Sequence, residues 1–251
     1  MNQQAIIEAS NLCKTYSTGK EQHHAIRNLN LDVYEGDFTV IMGNSGTGKS
    51  TLLYLLSGLD KATAGEVRYR GERLDLSDER KLARFRAHEI GYIYQSIHLV
   101  PDLTLLENVA LPGYAAGAPK SAVRARAKEL LAAVGLGELH RRLPSQVSGG
   151  QQQRAAIARA LMNEPRLLFA DEPTGSLNYE QGVAVMDLLT GLNAKGQSIV
   201  MVTHDMKAAC RADRLVIIRD GKVGRILRFG KYDPSELQQR EQTIFAAVTG
   251  E

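Results

Sequence analysis

Cysteine is scarce in this chain: Cys13 and Cys210 are the only two among 251 residues. They stand far apart and outside any metal-ligand spacing. That excludes a disulfide framework and a cysteine metal site, and leaves two idle thiols in a reducing compartment. Long apolar runs are missing as well, so no segment of the sequence is suited to cross a bilayer as a helix. The first residues, Met1-Asn2-Gln3-Gln4, lack the basic and apolar parts of a signal peptide. Nor is there an excess of one charge. The 31 basic and 28 acidic residues leave a formal +3, too small an imbalance to indicate a polyanion partner. Internal repeats and low-complexity tracts are absent. If such a chain works at a membrane, other polypeptides must hold it there.

What is present is ordinary globular material, 43% hydrophobic and 24% charged, long enough for one large or two small domains. Leu29 to Val33 alternates apolar and polar as a half-buried strand does, and Phe38 to Met42 is a β-rich run ending at Gly43. Ser50 to Leu59 predicts a helix whose apolar face includes Leu52, Leu53, Leu55, Leu56 and Leu59. Val67 to Tyr69 with a turn at Gly71 predicts a hairpin. From about Pro101 to Leu143 the texture is helical. Val123, Ala127, Leu130, Leu131 and Val134 recur at helical spacing, Ser121 is the expected N-cap, and Pro112, Gly113, Gly117 and Pro119 are expected to break the segment before it. Apolar strands return at Leu167–Ala170 and Ile199–Val202, with a helix from about Gln181 to Leu192 between them. This is βαβ texture, implying a parallel sheet with helices on both faces. A hairpin at Leu215–Val223 and a helix start at Asp233-Pro234-Ser235-Glu236 close the chain.

Gly43-Asn44-Ser45-Gly46-Thr47-Gly48-Lys49-Ser50 satisfies the Walker A pattern, with a strand before it and a helix after it. Glycines let the backbone fold round a phosphate so that successive N–H groups point inward. Lys49 adds a point charge, and the Ser50 hydroxyl suits Mg²⁺. Leu167 to Ala170 delivers Asp171 at a strand end, where it suits a Mg²⁺ partner. Glu172, expected to point the other way on an extended chain, suits an attacking water. An acidic cap before the next helix is the competing reading of this pair. Gln95 is a candidate for the metal or water, His204 for the γ-phosphate and Tyr16 for stacking on adenine. Each alone also reads as a solvated glutamine, a polar strand-end histidine or an edge aromatic. Val147-Ser148-Gly149-Gly150-Gln151-Gln152 is a capped helix start, with Ser148 as N-cap and Gln151 three residues on. Its two glycines place no side chain over the first helical N–H groups, leaving a positively polarised end open to an anion.

In order and spacing these residues resemble the nucleotide-binding subunits of ABC transporters over nearly the whole chain. Gly58-Leu59-Asp60, Arg84-Phe85-Arg86, Glu107 to Pro112 and Asp171 to Gly175 resemble one branch in particular. It is the branch of lipoprotein-releasing, macrolide-export, antimicrobial-peptide-resistance and cell-division ATPases. The resemblance implies an α/β P-loop NTPase (RecA-like) fold with a mostly parallel sheet, an N-terminal antiparallel β-subdomain and an inserted helical subdomain. It places the nucleotide-binding domain at 1–229, with the helical insertion at about 97–160, and a C-terminal extension at 230–251.

It implies further that two copies clamp two ATP–Mg²⁺ head to tail. Tyr16, Gly43 to Ser50, Thr51 and Gln95 of one copy would bind ATP, joined by Ser148, Gly149, Gly150 and Gln151 of the other. Ser50, Gln95 and Asp171 would hold the metal, and Glu172, His204 and Lys49 would carry hydrolysis. The expected partners are a second copy and a separately encoded membrane permease engaged near Gln95, with no nucleic acid. The expected place is the cytoplasmic face of the membrane. The expected work is export or extraction of a hydrophobic or amphipathic substrate such as a lipoprotein, antimicrobial peptide or drug. A signalling ATPase that activates a cell-wall hydrolase without transport is the alternative. Two departures stand out. Val147 replaces the family's leucine, and Asn178 stands where aspartate is usual. Asn178 keeps its hydrogen bonding and loses its charge, so coupling between the two sites is expected to weaken. Asn178→Asp should raise the cooperativity of ATP hydrolysis; an unchanged Hill coefficient and rate would refute this.

Overall fold

The computed structural model describes residues 4–19, 21–74 and 78–249. It has two compact units, one made of residues 1–82 and 192–251 and the other of 83–191. The first contains an antiparallel sheet and a set of parallel strands. β1 (Ala5–Thr18) and β2 (Glu21–Tyr34) pair antiparallel, and β1 also pairs with β4 (Ala64–Tyr69), which continues into β5 (Glu72–Arg73). β2 alternates buried Leu29, Leu31 and Val33 with exposed neighbours, as expected for a strand with one wet face. β3 (Phe38–Met42) lies between β8 (Ser198–Thr203) and β9 (Arg214–Arg219), parallel to both, and β10 (Lys222–Arg228) pairs antiparallel with β9. β3 and β8 are buried at every residue. A strand covered on both faces reads as a near-continuous apolar run, and these do, broken only by Thr39 in β3 and by Ser198 and Thr203 at the ends of β8.

The helix after the glycine loop, α1 (Lys49–Leu56), is shorter than its leucine pattern suggested. Ser57 caps it, Gly58 turns left-handed at φ 68°, and Leu59 is 41% exposed instead of joining the apolar face. The pattern carried no stop signal other than Gly58, and that is where the chain turns.

The second unit holds β6 (Ile90–Ile93) parallel to β7 (Leu167–Asp171) and a helical cluster. Its helices are α3 (Leu105–Ala115), α4 (Lys120–Ala133) and α5 (Gly149–Ala160). Leu105, Val109, Val123, Ala127, Leu131, Ala155 and Ala158 form their shared core. The unit boundaries fall within α2 (Glu79–His88) and α6 (Tyr179–Ala194). Pro112 and Gly113, expected to break the chain, lie inside α3. A Cβ at Gly113 would meet Val123 and Met162 side chains, so the glycine lets α3 approach its neighbours closely. Ser121 is likewise not the cap of α4: the helix starts at Lys120 after Pro119. Thr104 and Glu107 cap α3 reciprocally. Asn108 is fully buried and bonds Val100, Leu103 and Thr104, which stitches the loop before α3 to the helix.

In the first unit the chain ends with the short helix α7 (Met206–Ala209), β9, β10 and α8 (Leu237–Thr249). A side chain that apolar periodicity does not reveal anchors α8. Arg240 is 2% exposed, and its guanidinium donates to the carbonyls of Cys210, Ala212, Gly230 and Lys231 and to the Glu236 carboxylate. Its burial is tolerable only because these acceptors replace water. Arg240→Ala leaves them without donors and is expected to cost about 3 kcal/mol of stability. Urea denaturation measures this, and a loss under about 1 kcal/mol would contradict it.

Candidate functional site

Each unit carries a distinct set of the residues singled out above. In the first, the pairing Met42↔Thr203 between β3 and β8 ends both strands at the same edge, so Gly43 and His204 follow side by side at their carboxyl ends. The loop from Gly43 owes its shape to glycine. A Cβ at Gly43 would stand 2.5 Å from the Ile218 carbonyl oxygen. Gly48 adopts φ 93° as the residue before α1, and a Cβ there would collide with the Ala25 carbonyl. Gly46 is also left-handed, at φ 79°, but has open space around it. Lys49 is 8% exposed, and its ammonium donates to the Asn44 carbonyl at 2.9 Å, folded into the mouth of its own loop. The Thr47 hydroxyl donates to the same oxygen. A buried ammonium and the uncapped start of α1 in a glycine cradle fit a polyphosphate.

Tyr16 lies within β1. Its hydroxyl donates to Asp60 at 2.8 Å and is hydrogen-bonded to the Thr51 side chain, while the Lys14 ammonium sits 4.8 Å from its ring centre. Lys14 also bridges Asp60 at 2.6 Å. Burial and the Asp60 carboxylate push the Tyr16 phenol above its ordinary value, against the Thr51 bond, so it stays a neutral donor. Burial acts to raise Asp60, but the bonds from Lys14, Tyr16 and the Lys61 N–H outweigh it and hold this carboxyl below its ordinary range. The sequence reading had Asp60 only as a branch marker and missed Lys14. A lone Lys-x-Tyr in a strand carries no signal until the fold brings Asp60 to it.

In the second unit, the pairing of β6 with β7 ends at Ile93↔Ala170, which brings Gln95 to the same edge as Asp171 and Glu172. Asp171 is 4% exposed. Glu172 does not continue an extended chain as expected: it turns left-handed at φ 45°, and its carbonyl accepts the Gly175 N–H at 3.0 Å. Glu172 thus leaves the strand through a strained turn costing about 1–2 kcal/mol, and strand alternation does not set its direction. The Gln95 amide nitrogen lies 3.5 Å from where a Cβ of Gly175 would be. Arg159, on α5, donates to the carbonyls of Ile97 and His98 and so ties α5 to the segment after Gln95. Burial lowers its pKa. Periodicity had not marked this residue.

Ser148 caps α5 as its spacing predicted: its hydroxyl accepts the Gln151 N–H, and Gln151 Oε1 accepts the Ser148 N–H at 2.8 Å. The helix end is less open than two glycines suggested. A Cβ at Gly150 would meet the Gln181 side chain at 2.9 Å, and one at Gly149 would meet Leu177 at 3.5 Å. Asn178 caps α6 by accepting the Gln181 N–H. Among the described residues no three of His, Cys, Asp and Glu form a metal cluster. Oxygen donors of the Asp171 and Ser50 type fit a Mg²⁺ that keeps phosphate and water ligands, not a cage built of protein alone.

A family model described as ABC transporter matches residues 26–175. The chain belongs to this family. An uncharacterized ABC transporter ATP-binding protein of Methanocaldococcus jannaschii is 49% identical over 222 residues, 88% of this chain and 99% of that protein. The macrolide export ATP-binding/permease protein MacB of Salmonella typhimurium is 40% identical over 244 residues, which are 97% of this chain but 37% of that longer protein. Among solved structures, the dimeric bacterial ABC transporter cassette MJ0796 matches with a TM-score of 0.82 at 41% identity, covering 90% of this chain and 100% of that one. A dimeric post-hydrolysis state of the same cassette, bound to ADP and Pi, matches with a TM-score of 0.82. This ABC chain therefore has the P-loop NTPase fold and is an ATPase of that class.

Gly46 and Gly48 separate conformational strain from steric collision. Gly46→Ala should cost about 1 kcal/mol, the penalty for a left-handed alanine. Gly48→Ala should cost at least about twice that, because backbone stands in the way. Equal shifts in thermal unfolding would contradict this.

Proposed function

We propose that this ABC ATPase works as a nucleotide-sandwich homodimer that drives a separately encoded integral membrane permease. Lys49 and the amides of Gly43 to Thr51 bind the phosphates, and Tyr16, oriented by Thr51 and Asp60, supports adenine. Ser50, Gln95 and Asp171 are the oxygen donors for Mg²⁺, which neutralises charge on the phosphates when bound. Glu172 orients or deprotonates water, and His204 donates to the γ-phosphate. The observation that carries the reading is the Ser148-capped start of α5. It is an anion-directed helix end on a chain that already has a complete phosphate loop. Ser148, Gly149, Gly150 and Gln151 are assigned to the ATP held by the second copy.

The similarity to MacB supports a substrate that is hydrophobic or amphipathic, exported or extracted from the membrane. No helix among the described residues is long and apolar enough to cross a membrane. As the partner of a permease, the chain is placed at the cytoplasmic face, with residues 230–251 as an extension of the 1–229 nucleotide-binding domain.

Glu172→Gln should keep ATP and metal binding while removing the base. A stable ATP-bound dimer with negligible turnover is expected by size-exclusion chromatography and phosphate release. A variant that stays monomeric in ATP, or turns over at the parent rate, would overturn the assignment.

A further inference from the structure

The phosphate loop begins against the end of β9, and the last residue of β9 is bonded to helix α8. Arg219 is the last residue of β9. Its guanidinium donates to the carbonyls of Ala247 at 3.0 Å and Val248 at 2.7 Å, at the end of α8. The last carbonyls of a helix have no partner inside it, and they lie at the negative end of its dipole. A guanidinium there makes short, charge-assisted bonds. Arg219 thereby ties the end of β9 to the C-terminal helix, which Arg240 anchors at its other end.

The neighbours of Arg219 on both sides touch the loop or its support. Just before it, the Ile218 carbonyl lies against Gly43, where the loop begins. Just after it, Asp220 at φ 49° and Gly221 at φ 73° make the tight turn into β10. Gly221 lies against the Ala25 carbonyl, where a Cβ would stand 2.6 Å from that oxygen, and its own carbonyl accepts the Arg27 N–H at 2.9 Å. The same Ala25 carbonyl fills the space beside Gly48, where the loop ends. One end of the phosphate loop therefore rests on the residue before Arg219, and the other on the Ala25 carbonyl against which Gly221 packs. Between the loop and the helix end lies a cleft of about 300 Å³ lined by Gly43, Asn44, Thr47, Arg219, Val248 and Thr249.

We infer that Arg219, through its bonds to the end of α8, is a positioning residue for the phosphate loop, so that nucleotide affinity depends on the C-terminal helix. This rests on the reading of the loop as the ATP site. The Arg219 side chain bonds the end of α8, at Ala247 and Val248, so it acts on binding more than on turnover.

The test uses the full chain with Arg219→Ala and Arg219→Lys, in two measurements. The first is hydrogen exchange at the amides of residues 43–50 without nucleotide. The second is the ATP dependence of hydrolysis with Mg²⁺. Arg219→Ala should speed exchange in the loop and raise KM for ATP about fivefold, leaving kcat within about twofold, as the loss of a charged hydrogen bond implies. Arg219→Lys, which keeps the charge and one donor, should restore most of both. Should the alanine variant fail to fold, Arg219→Gln carries the same comparison with a smaller expected effect. Unchanged loop exchange overturns the inference whatever the enzyme does, as does faster exchange with an unchanged KM. Faster exchange in a protein whose parent form neither binds nor hydrolyses ATP upholds the positioning role and overturns the proposed function instead.

Discussion

One backbone carbonyl, that of Ala25, occupies the space that Cβ atoms at Gly48 and Gly221 would need. The phosphate loop and the β9–β10 turn both close on it, and Gly43 closes in the same way on the carbonyl of Ile218. Backbone packed directly on backbone has no rotamers to absorb a change. The loop is therefore shaped before any ligand arrives, and its N–H groups need little reorganisation to meet an anion. Alanine at these positions meets a carbonyl, which cannot move without its strand. The glycines serve the neighbouring chain as much as their own torsion angles.

The same economy of space appears in the other unit, with a different purpose. Gly150 leaves room for Gln181, so the helix start that Ser148 caps is packed against the beginning of α6. Asn178 caps α6 at that point, and just before it Leu177, in the segment after Glu172, lies beside Gly149 at the start of α5. Arg159 ties the far part of that helix to the carbonyls just beyond Gln95. A shift of α5 would thus be felt at both Gln95 and the loop after Glu172. These are the residues to which the proposed function assigns water and metal. The left-handed turn at Glu172 adds strain where the carboxylate must be aimed, a cost that fold stability has to cover.

The sequence was most legible where one residue's chemistry acts on its near neighbours. Ser148 with Gln151 is such a case, because a capping box satisfies N–H groups three residues apart. The buried strands β3, β7 and β8 are another, since a strand covered on both faces is mostly apolar. It was least legible where packing overrides propensity. Leu59 fits the leucine pattern of α1 yet lies outside the helix and exposed. Pro112 and Gly113 read as breakers yet sit inside α3, where close approach to Val123 and Met162 outweighs the cost of both. Arg240 reads as a surface charge and is among the most buried groups of the C-terminal segment.

By itself, the order of glycines, lysine, acidic pair and capped helix start determined the fold class, the family and the chemistry, since each motif meets its requirement within a few residues. Only the tertiary structure decided which residues support those motifs. Asp60 behind Tyr16, Arg159 behind the segment after Gln95 and Arg219 behind the phosphate loop are far along the chain from what they support. Their partners are largely backbone carbonyls, which every residue carries, so no pattern of side chains along the chain could announce them.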